Sequence, residues 1–215
     1  MKYLFIFTLL STCIQVNAQG DRYTETMKAV IAELYSVETS DGYDPIINKF
    51  QRIGEAEGTA WEPFYYASLG HLFKGNKIED LTVRDASLDQ ALAALEDAAT
   101  LAPDNVEIIL LEGFINMIKI GVDPTTRGQS LSPKIMASFG RALQMAPDNP
   151  RANLFMAQMQ IGTAQFFGTS IEEPCLLIEK AGELFENAQP TSALVPNWGA
   201  GSVDYYRTLC AESQN

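Results

Sequence analysis

The sequence predicts an all-α fold of stacked antiparallel helical hairpins, with lengthened loops inside each hairpin. Two segments, residues 91–105 and 135–149, repeat one order of apolar residues and each ends in Ala-Pro-Asp-Asn. Pro103, Pro147 and Pro190 follow one another at intervals of 44 and 43 residues. The chain has 215 residues and is 47% hydrophobic, which suffices for a buried core and argues against intrinsic disorder. A repeat of this length is typical of hairpins that bury their apolar faces against one another.

Each copy reads as the second helix of a hairpin. In the first copy, Ala91, Leu95 and Ala98 are spaced four and three residues apart, so they lie on one face of a helix. The small Ala98 lets a neighbouring helix approach closely, and Pro103 ends the helix. The Asp-Asn pair that follows predicts a cap for the next helix, because its side-chain oxygens can accept backbone N–H bonds.

The repeats divide the chain into one domain preceded by a leader. We expect a signal peptide over residues 1–18 and a single helical domain over residues 19–215. Within it we expect an N-terminal helical pair, three repeats and a C-terminal cap, over residues 22–58, 63–103, 106–147, 150–190 and 191–215. The extra residues of the first two repeats fall in 76–87 and 121–132, and Gly and Pro in the second stretch predict loops there.

Leu69-Gly70-x-x-Phe73, followed by Ala91, Leu95, Ala98 and Pro103, resembles the tetratricopeptide repeat (TPR). HEAT and armadillo repeats share the longer period but lack this pattern. The ending of the chain, with Gly182-Glu-Leu-Phe-Glu, Pro196-Asn-Trp198-Gly199 and a last helix that contains Cys210, resembles exported TPR proteins of Bacteroidota. The resemblance implies a TPR-like α-solenoid whose first helices line a concave groove for a peptide or a helix of a partner.

The groove positions follow from the TPR register. Counted from Leu69-Gly70 and from Gly113, they form a largely apolar stripe with cations at its rim. The residues that we expect to bind a partner are Phe64, His71, Lys74, Glu107, Leu110, Phe114, Met117, Arg151, Leu154 and Gln158. The sequence leaves open whether this groove is open or occupied by a cap.

The first residues predict export. Met1-Lys2, an apolar run to Leu10 and the Val16-Asn17-Ala18 site follow the plan of a secretory signal, with cleavage near Ala18. The mature protein would be periplasmic or secreted; the alternative is a lipoprotein anchored through Cys13. The apolar run is shorter than the ~20 residues of a membrane span, and we expect no transmembrane segment.

Cleavage would leave two cysteines in an oxidising compartment. Cys175 and Cys210 then predict either a disulfide or two buried thiols, and the sequence leaves both open.

Composition excludes several function classes. With 27 Asp and Glu against 15 Lys and Arg, the net charge is -12, which disfavours nucleic acid as a partner. His71 is the only imidazole and has no nucleophile motif near it, so we expect neither catalytic residues nor an enzyme. One His and two mature cysteines cannot complete a zinc site, and we expect no metal and no cofactor.

Two functions from different classes remain. The first is a non-enzymatic scaffold that binds an envelope protein or peptide in the TPR groove. The alternative is a periplasmic protein that binds a small ligand, a peptide or a glycan, through aromatic side chains such as Trp61, Tyr65 and Trp198. The partner's identity, the biological process and the oligomeric state stay open.

Overall fold

The computed structural model describes residues 20–213, in which the regular secondary structure is helical and no strand is present. Helix α1 spans residues 20–36 of this range. The remaining α-helices are α2 (Tyr43–Glu57), α3 (Glu62–Asn76), α4 (Leu81–Leu101), α5 (Val106–Val122), α6 (Pro124–Met145), α7 (Pro150–Phe167), α8 (Glu172–Glu186) and α9 (Val203–Glu212). Short 3-10 helices precede α2 and α9, at Ser40–Gly42 and Ala200–Ser202. The predicted signal peptide, its predicted cleavage site and Cys13 lie outside the described residues.

The helices stack as the sequence predicts. α3 packs on α4, α5 on α6 and α7 on α8, so each pair forms a hairpin. Each second helix also packs on the first helix of the next hairpin, and α3, α5 and α7 contact one another in turn. The prediction of an all-α stack of antiparallel hairpins is therefore confirmed. In the described part of the chain, no helix is both long enough and apolar enough to cross a membrane.

The two Ala-Pro-Asp-Asn segments form the same turn between hairpins. Ala102 and Ala146 leave their helices with nearly the same backbone angles, φ -144° with ψ 70° and 79°. The side chain of Asn105 then accepts from the N–H of Glu107 at 2.9 Å, and that of Asn149 accepts from the N–H of Ala152 at 3.1 Å. The predicted caps are therefore present, and the asparagine of each Asp-Asn pair supplies them.

Most of the extra residues of the first two repeats do not form loops, which corrects the sequence analysis: within 76–87 and 121–132, only residues 77–80 and Asp123 lie outside helices. Most of the extra residues lengthen the second helices, so that α4 has 21 residues and α6 has 22. Asp80 starts α4 by accepting from the N–H groups of Thr82 and Val83. Asp123 separates α5 from α6 and accepts from the N–H of Thr126, while Pro124 occupies the first turn, where no N–H is needed.

An ion cluster holds these extensions against α5. The ammonium of Lys119 donates to Asp85 at 2.8 Å and to Asp89 at 2.6 Å. Both terminal nitrogens of Arg127 donate to Asp85, at 2.5 and 2.7 Å. Lys119 is buried and pairs with both carboxylates, so the cluster joins the N-terminal half of α4 and the first turn of α6 to the end of α5.

Gly113 lets α5 approach α6 closely. A Cβ on Gly113 would lie 2.5 Å from Cε1 of the buried Phe139, so a side chain there needs the core to shift. Gly162 offers a matched control, because it lies inside α7 and a Cβ there would meet no atom within 4 Å.

We expect Gly113→Ala and Gly162→Ala to change stability in opposite directions. Overpacking at Gly113 outweighs the gain in helix propensity and should lower the free energy of unfolding by about 1–2 kcal/mol. Gly162→Ala should raise it by about 0.5–1 kcal/mol, because only the propensity term acts. Urea unfolding followed by circular dichroism measures both values. A Gly113→Ala variant at least as stable as wild type would contradict the close approach.

Candidate functional site

A segment of the chain itself covers the face that α3, α5 and α7 form, which we call the inner face. We call residues 187–199 the strap; it follows α8 and has no regular secondary structure. The hydroxyl of Tyr66 on α3 donates to the carbonyl of Leu194 at 3.1 Å. The ring N–H of Trp198 donates to the hydroxyl of Tyr65 at 2.9 Å. The predicted groove is thus occupied by the protein's own C-terminal segment.

The indole of Trp198 joins the two halves of the core. Its ring centroid lies 6.3 Å from Phe73 on α3, 5.4 Å from Phe114 on α5 and 5.5 Å from Phe155 on α7. Trp198 and Phe114 pack against both hydrophobic clusters, one built mainly from α1 to α5 and the other from α5 to α9. One half-buried side chain therefore contacts the first helices of three successive hairpins.

Arg151 lies at the centre of this face and not at its rim. Its Nε donates to Oε2 of Glu107 at 2.7 Å, and its Nη2 donates to Oε1 of the same carboxylate at 2.9 Å. Its Nη1 donates to the carbonyl of Trp198 at 3.0 Å. Only 5% of the Arg151 side chain and 12% of Glu107 are exposed. Burial lowers the pKa of Arg151, but hydrogen bonding and the charge of Glu107 outweigh it and hold that pKa above its usual value.

The other predicted groove residues are also covered. Of the ten, five are buried and five are half-buried, and none is exposed. The fully buried members are Leu110 and Leu154, which pack inside the second core cluster. Gln158 donates to the hydroxyl of Ser202 at 3.2 Å, just beyond the strap. Phe64 faces α2, where its ring packs over Gly54.

Lys74 and Met117 complete the set. Lys74 pairs with Asp44 of α2 at 2.6 Å, and Met117 is half-buried against the second cluster. The structure thus brings Glu107, Phe114 and Arg151 together under the strap, and it assigns the remaining positions to packing between helices. The aromatic residues of the alternative hypothesis are mostly enclosed as well. Tyr65 is fully buried, and the rings of Trp61 and Tyr65 pack edge to face.

The structure joins Cys175 of α8 to Cys210 of α9 in a disulfide, with Cα atoms 5.8 Å apart. The bond closes a chain segment with a sequence separation of 35 residues, which contains the whole strap. In the chain-entropy model a loop of this size stabilises a protein by about 3–4 kcal/mol. The disulfide therefore joins the two helices on either side of the strap, while hydrogen bonds to Tyr65 and Tyr66 hold the strap along its length.

Gly199 ends the strap. Its φ of 106° lies in the left-handed region, which other residues rarely adopt, and the chain turns there into the 3-10 helix Ala200–Ser202. A Cβ at this position would also lie 3.4 Å from the Arg151 side chain. The glycine thus allows the backbone to pass close to Arg151 and then turn toward α9.

Two open clefts lie elsewhere on the surface. The α1–α2 cleft has a volume of about 820 Å³ and is lined by Arg22, Tyr23, Thr26, Val30, Lys49, Arg52, Ile53, Ala56 and Glu57. The α4–α6 cleft, of about 490 Å³, lies where α4, α5 and α6 meet. Sequence reasoning missed both, because each cleft depends on how neighbouring helices pack, which the spacing of the motifs does not give.

His71 is a packing residue on α3. It is 9% exposed, and its Nδ1 has no hydrogen-bond partner. Burial, and to a lesser degree the charge of Lys74, lowers the pKa of His71 to about 4, while Asp44 opposes the shift. Among the described residues, no group of three His, Cys, Asp or Glu side chains is placed to hold a metal ion.

We expect His71 to make the protein less stable as the pH falls. In the unfolded chain the His71 imidazole takes up a proton near pH 6.5. In the folded chain the same imidazole stays neutral until the pH falls to about 4. Between about pH 7 and pH 5 the free energy of unfolding should therefore drop by about 1–2 kcal/mol. The expected effect of His71→Gln is to remove most of this slope, as measured by urea unfolding at both pH values. An unchanged slope in the variant would contradict the buried neutral imidazole.

Comparison with known proteins finds similar proteins only among solved structures. No protein-family model matches the chain, and no curated protein does either. Among solved structures, the HusA haemophore from Porphyromonas gingivalis, a member of the Bacteroidota, matches with a TM-score of 0.77 and 27% identity. The match covers 90% of this chain and 95% of that chain.

A second solved structure supports the repeat assignment. A thermophilic TPR protein of Thermus thermophilus matches with a TM-score of 0.52 and 14% identity, over 93% of this chain and 95% of that one. At this identity the likeness shows the fold alone. The chain is therefore a TPR-like helical-repeat protein that resembles a protein of the Bacteroidota.

Proposed function

We propose that the protein is an exported, non-enzymatic carrier that binds haem. The observation that carries the proposal is the match to a haemophore over 90% of this chain at 27% identity. Haem is a flat apolar ring with two carboxylates, and a protein that binds it needs an apolar surface beside cationic groups. The described residues supply such surfaces, while their only imidazole, His71, is buried.

Export is part of the proposal. The leader of residues 1–18 has the plan of a secretory signal, and we propose cleavage near Ala18 in preference to a lipid anchor on Cys13. The disulfide between Cys175 and Cys210 supports this, because such bonds persist mainly in oxidising compartments.

The strap limits where a ligand can bind. With Trp198 seated between Phe73, Phe114 and Phe155, the inner face has no open surface for a flat ring. A ligand must therefore bind in a cleft outside this face or displace the strap. The proposed carrier function does not require displacement, because two clefts are already open.

Titration with haemin tests this function. We expect the mature protein, residues 19–215, to shift the Soret absorbance in a saturable way with a Kd of about 10 µM or tighter. The same protein unfolded in urea serves as the control, since it keeps the composition and loses the clefts. A linear, non-saturating response that matches the unfolded control would refute haem binding.

A second candidate function follows from the strap itself. An extended segment already occupies the inner face, held through main-chain carbonyls and one aromatic anchor, which is how a groove binds a peptide. We propose as the alternative that a partner protein inserts a similar segment there when the strap is released. The TPR neighbour is compatible with this only at the level of the fold.

A labelled peptide of residues 187–199 tests the second candidate. The wild-type chain should not bind it, because the tethered strap occupies the face at high effective concentration. Trp198→Ala should loosen the strap and allow binding that fluorescence anisotropy detects, while a peptide without its Trp should not bind. If neither the wild type nor Trp198→Ala binds the intact peptide at about 100 µM, the face serves packing only.

A further inference from the structure

The α1–α2 cleft has the size of a small-molecule site. Its volume of about 820 Å³ falls within the range of about 300–1,000 Å³ that such sites occupy. Its apolar part is formed by Val30, which is buried, by the half-buried Tyr23 and Ile53, and by the exposed Ala56. The cleft thus offers a flat ligand an aromatic and aliphatic surface that solvent can reach.

Cations without carboxylate partners line this cleft. Although the chain has 27 acidic residues against 15 basic ones, neither Arg22 nor Arg52 forms a salt bridge in the described structure. The Nε of Arg52 donates to the carbonyl of Asn48 at 3.1 Å, and within residues 20–213 its terminal nitrogens have no carboxylate partner that would compete with a ligand. Both guanidinium groups are on exposed residues, where an anion can reach them.

Lys49 adds a third positive charge. It pairs with Glu33, but 41% and 45% of the two side chains are exposed, and ion pairs in water are weak. Glu57 is the one acid among the residues that line the cleft. The lining residues thus include three cations and one acid. Although Glu33 pairs with Lys49 and Glu62 accepts from the hydroxyl of Tyr23, the two arginines leave the cleft complementary to an anion.

The α4–α6 cleft lacks this complementarity. Lys134 is the only cation among its lining residues, and Glu96 and Glu112 line it as well. A ligand with two carboxylates would meet repulsion there. The two clefts are both partly apolar, but they differ in the charge of their lining residues.

We infer that the α1–α2 cleft is the haem site, with the ring against Tyr23, Ile53 and Ala56 and its carboxylates on Arg22 and Arg52. The inference rests on the proposed carrier function. The cleft would accept a class of ligand to which haem belongs: flat apolar molecules that carry carboxylates on one edge. Guanidinium groups suit such an edge because each can donate two parallel hydrogen bonds to a carboxylate.

Charge removal tests the cation contacts. We expect Arg22→Gln combined with Arg52→Gln to raise the Kd for haemin about tenfold. The matched control combines Lys77→Gln with Lys134→Gln, which also removes two cations without salt bridges and should leave the Kd unchanged. With haemin dimethyl ester, which has no carboxylates, the Arg22 and Arg52 substitutions should make no difference.

Steric filling tests the apolar surface. Ala56 is exposed in the cleft, so Ala56→Trp should fold and weaken haemin binding at least tenfold by occupying the ring position. Ala29 is exposed on α1 and does not line the cleft, and Ala29→Trp is the control. Circular dichroism verifies that each variant stays helical.

The outcomes separate the two proposals. Saturable binding by wild type, weakened by the cleft variants and unchanged in the controls, supports the site. Equal binding by wild type and all variants overturns the site and leaves the carrier function standing. No binding by wild type overturns both. Equal loss in the cleft variants and in their controls shows a non-specific charge or bulk effect and likewise overturns the assignment of the cleft.

Discussion

The arrangement of the inner face depends on one buried guanidinium. Arg151 neutralises Glu107 through two hydrogen bonds and uses its remaining nitrogen on the carbonyl of Trp198. It therefore connects α5, α7 and the strap at a point where almost no water reaches. Loss of either charge would leave the other buried without a partner, at a cost of about 3–5 kcal/mol. The position of the indole, and with it the closure of the face, follows from this contact.

Local signals explain why so much of the fold could be predicted. The capping residues Asn105 and Asn149 act within three residues of their own positions, and helical spacing places Ala98 and Ala142 in the core without reference to distant parts of the chain. The loop prediction was wrong because Pro124 reads as a helix breaker, although a proline in the first turn of a helix costs nothing. Gly128 was also read as a helix breaker, but a glycine inside a helix costs only about 1 kcal/mol and does not end α6.

The cover over the groove could not be predicted in this way. Trp198 and Tyr65 are 133 positions apart, and the Pro-containing strap has no periodicity that would place it on a particular face. One signal for Arg151 was nevertheless present. Glu107 and Arg151 each follow a capping asparagine by two residues, and equivalent positions of successive repeats are neighbours in a stack. Opposite charges at equivalent positions therefore indicate a pair between hairpins, and not a rim for a partner.

The strap also changes how the stack can come apart. In an open solenoid each hairpin contacts only its neighbours, so the last one can melt while the others stay folded. Here the C-terminal segment contacts Tyr65 and Tyr66 of α3, the first helix of the first repeat. Fraying of α8 and α9 must therefore break contacts in the first repeat, while the disulfide keeps the released ends together. Unfolding of the last hairpin is thereby coupled to unfolding of the first repeat, which gives a linear array of repeats part of the cooperativity of a globular domain.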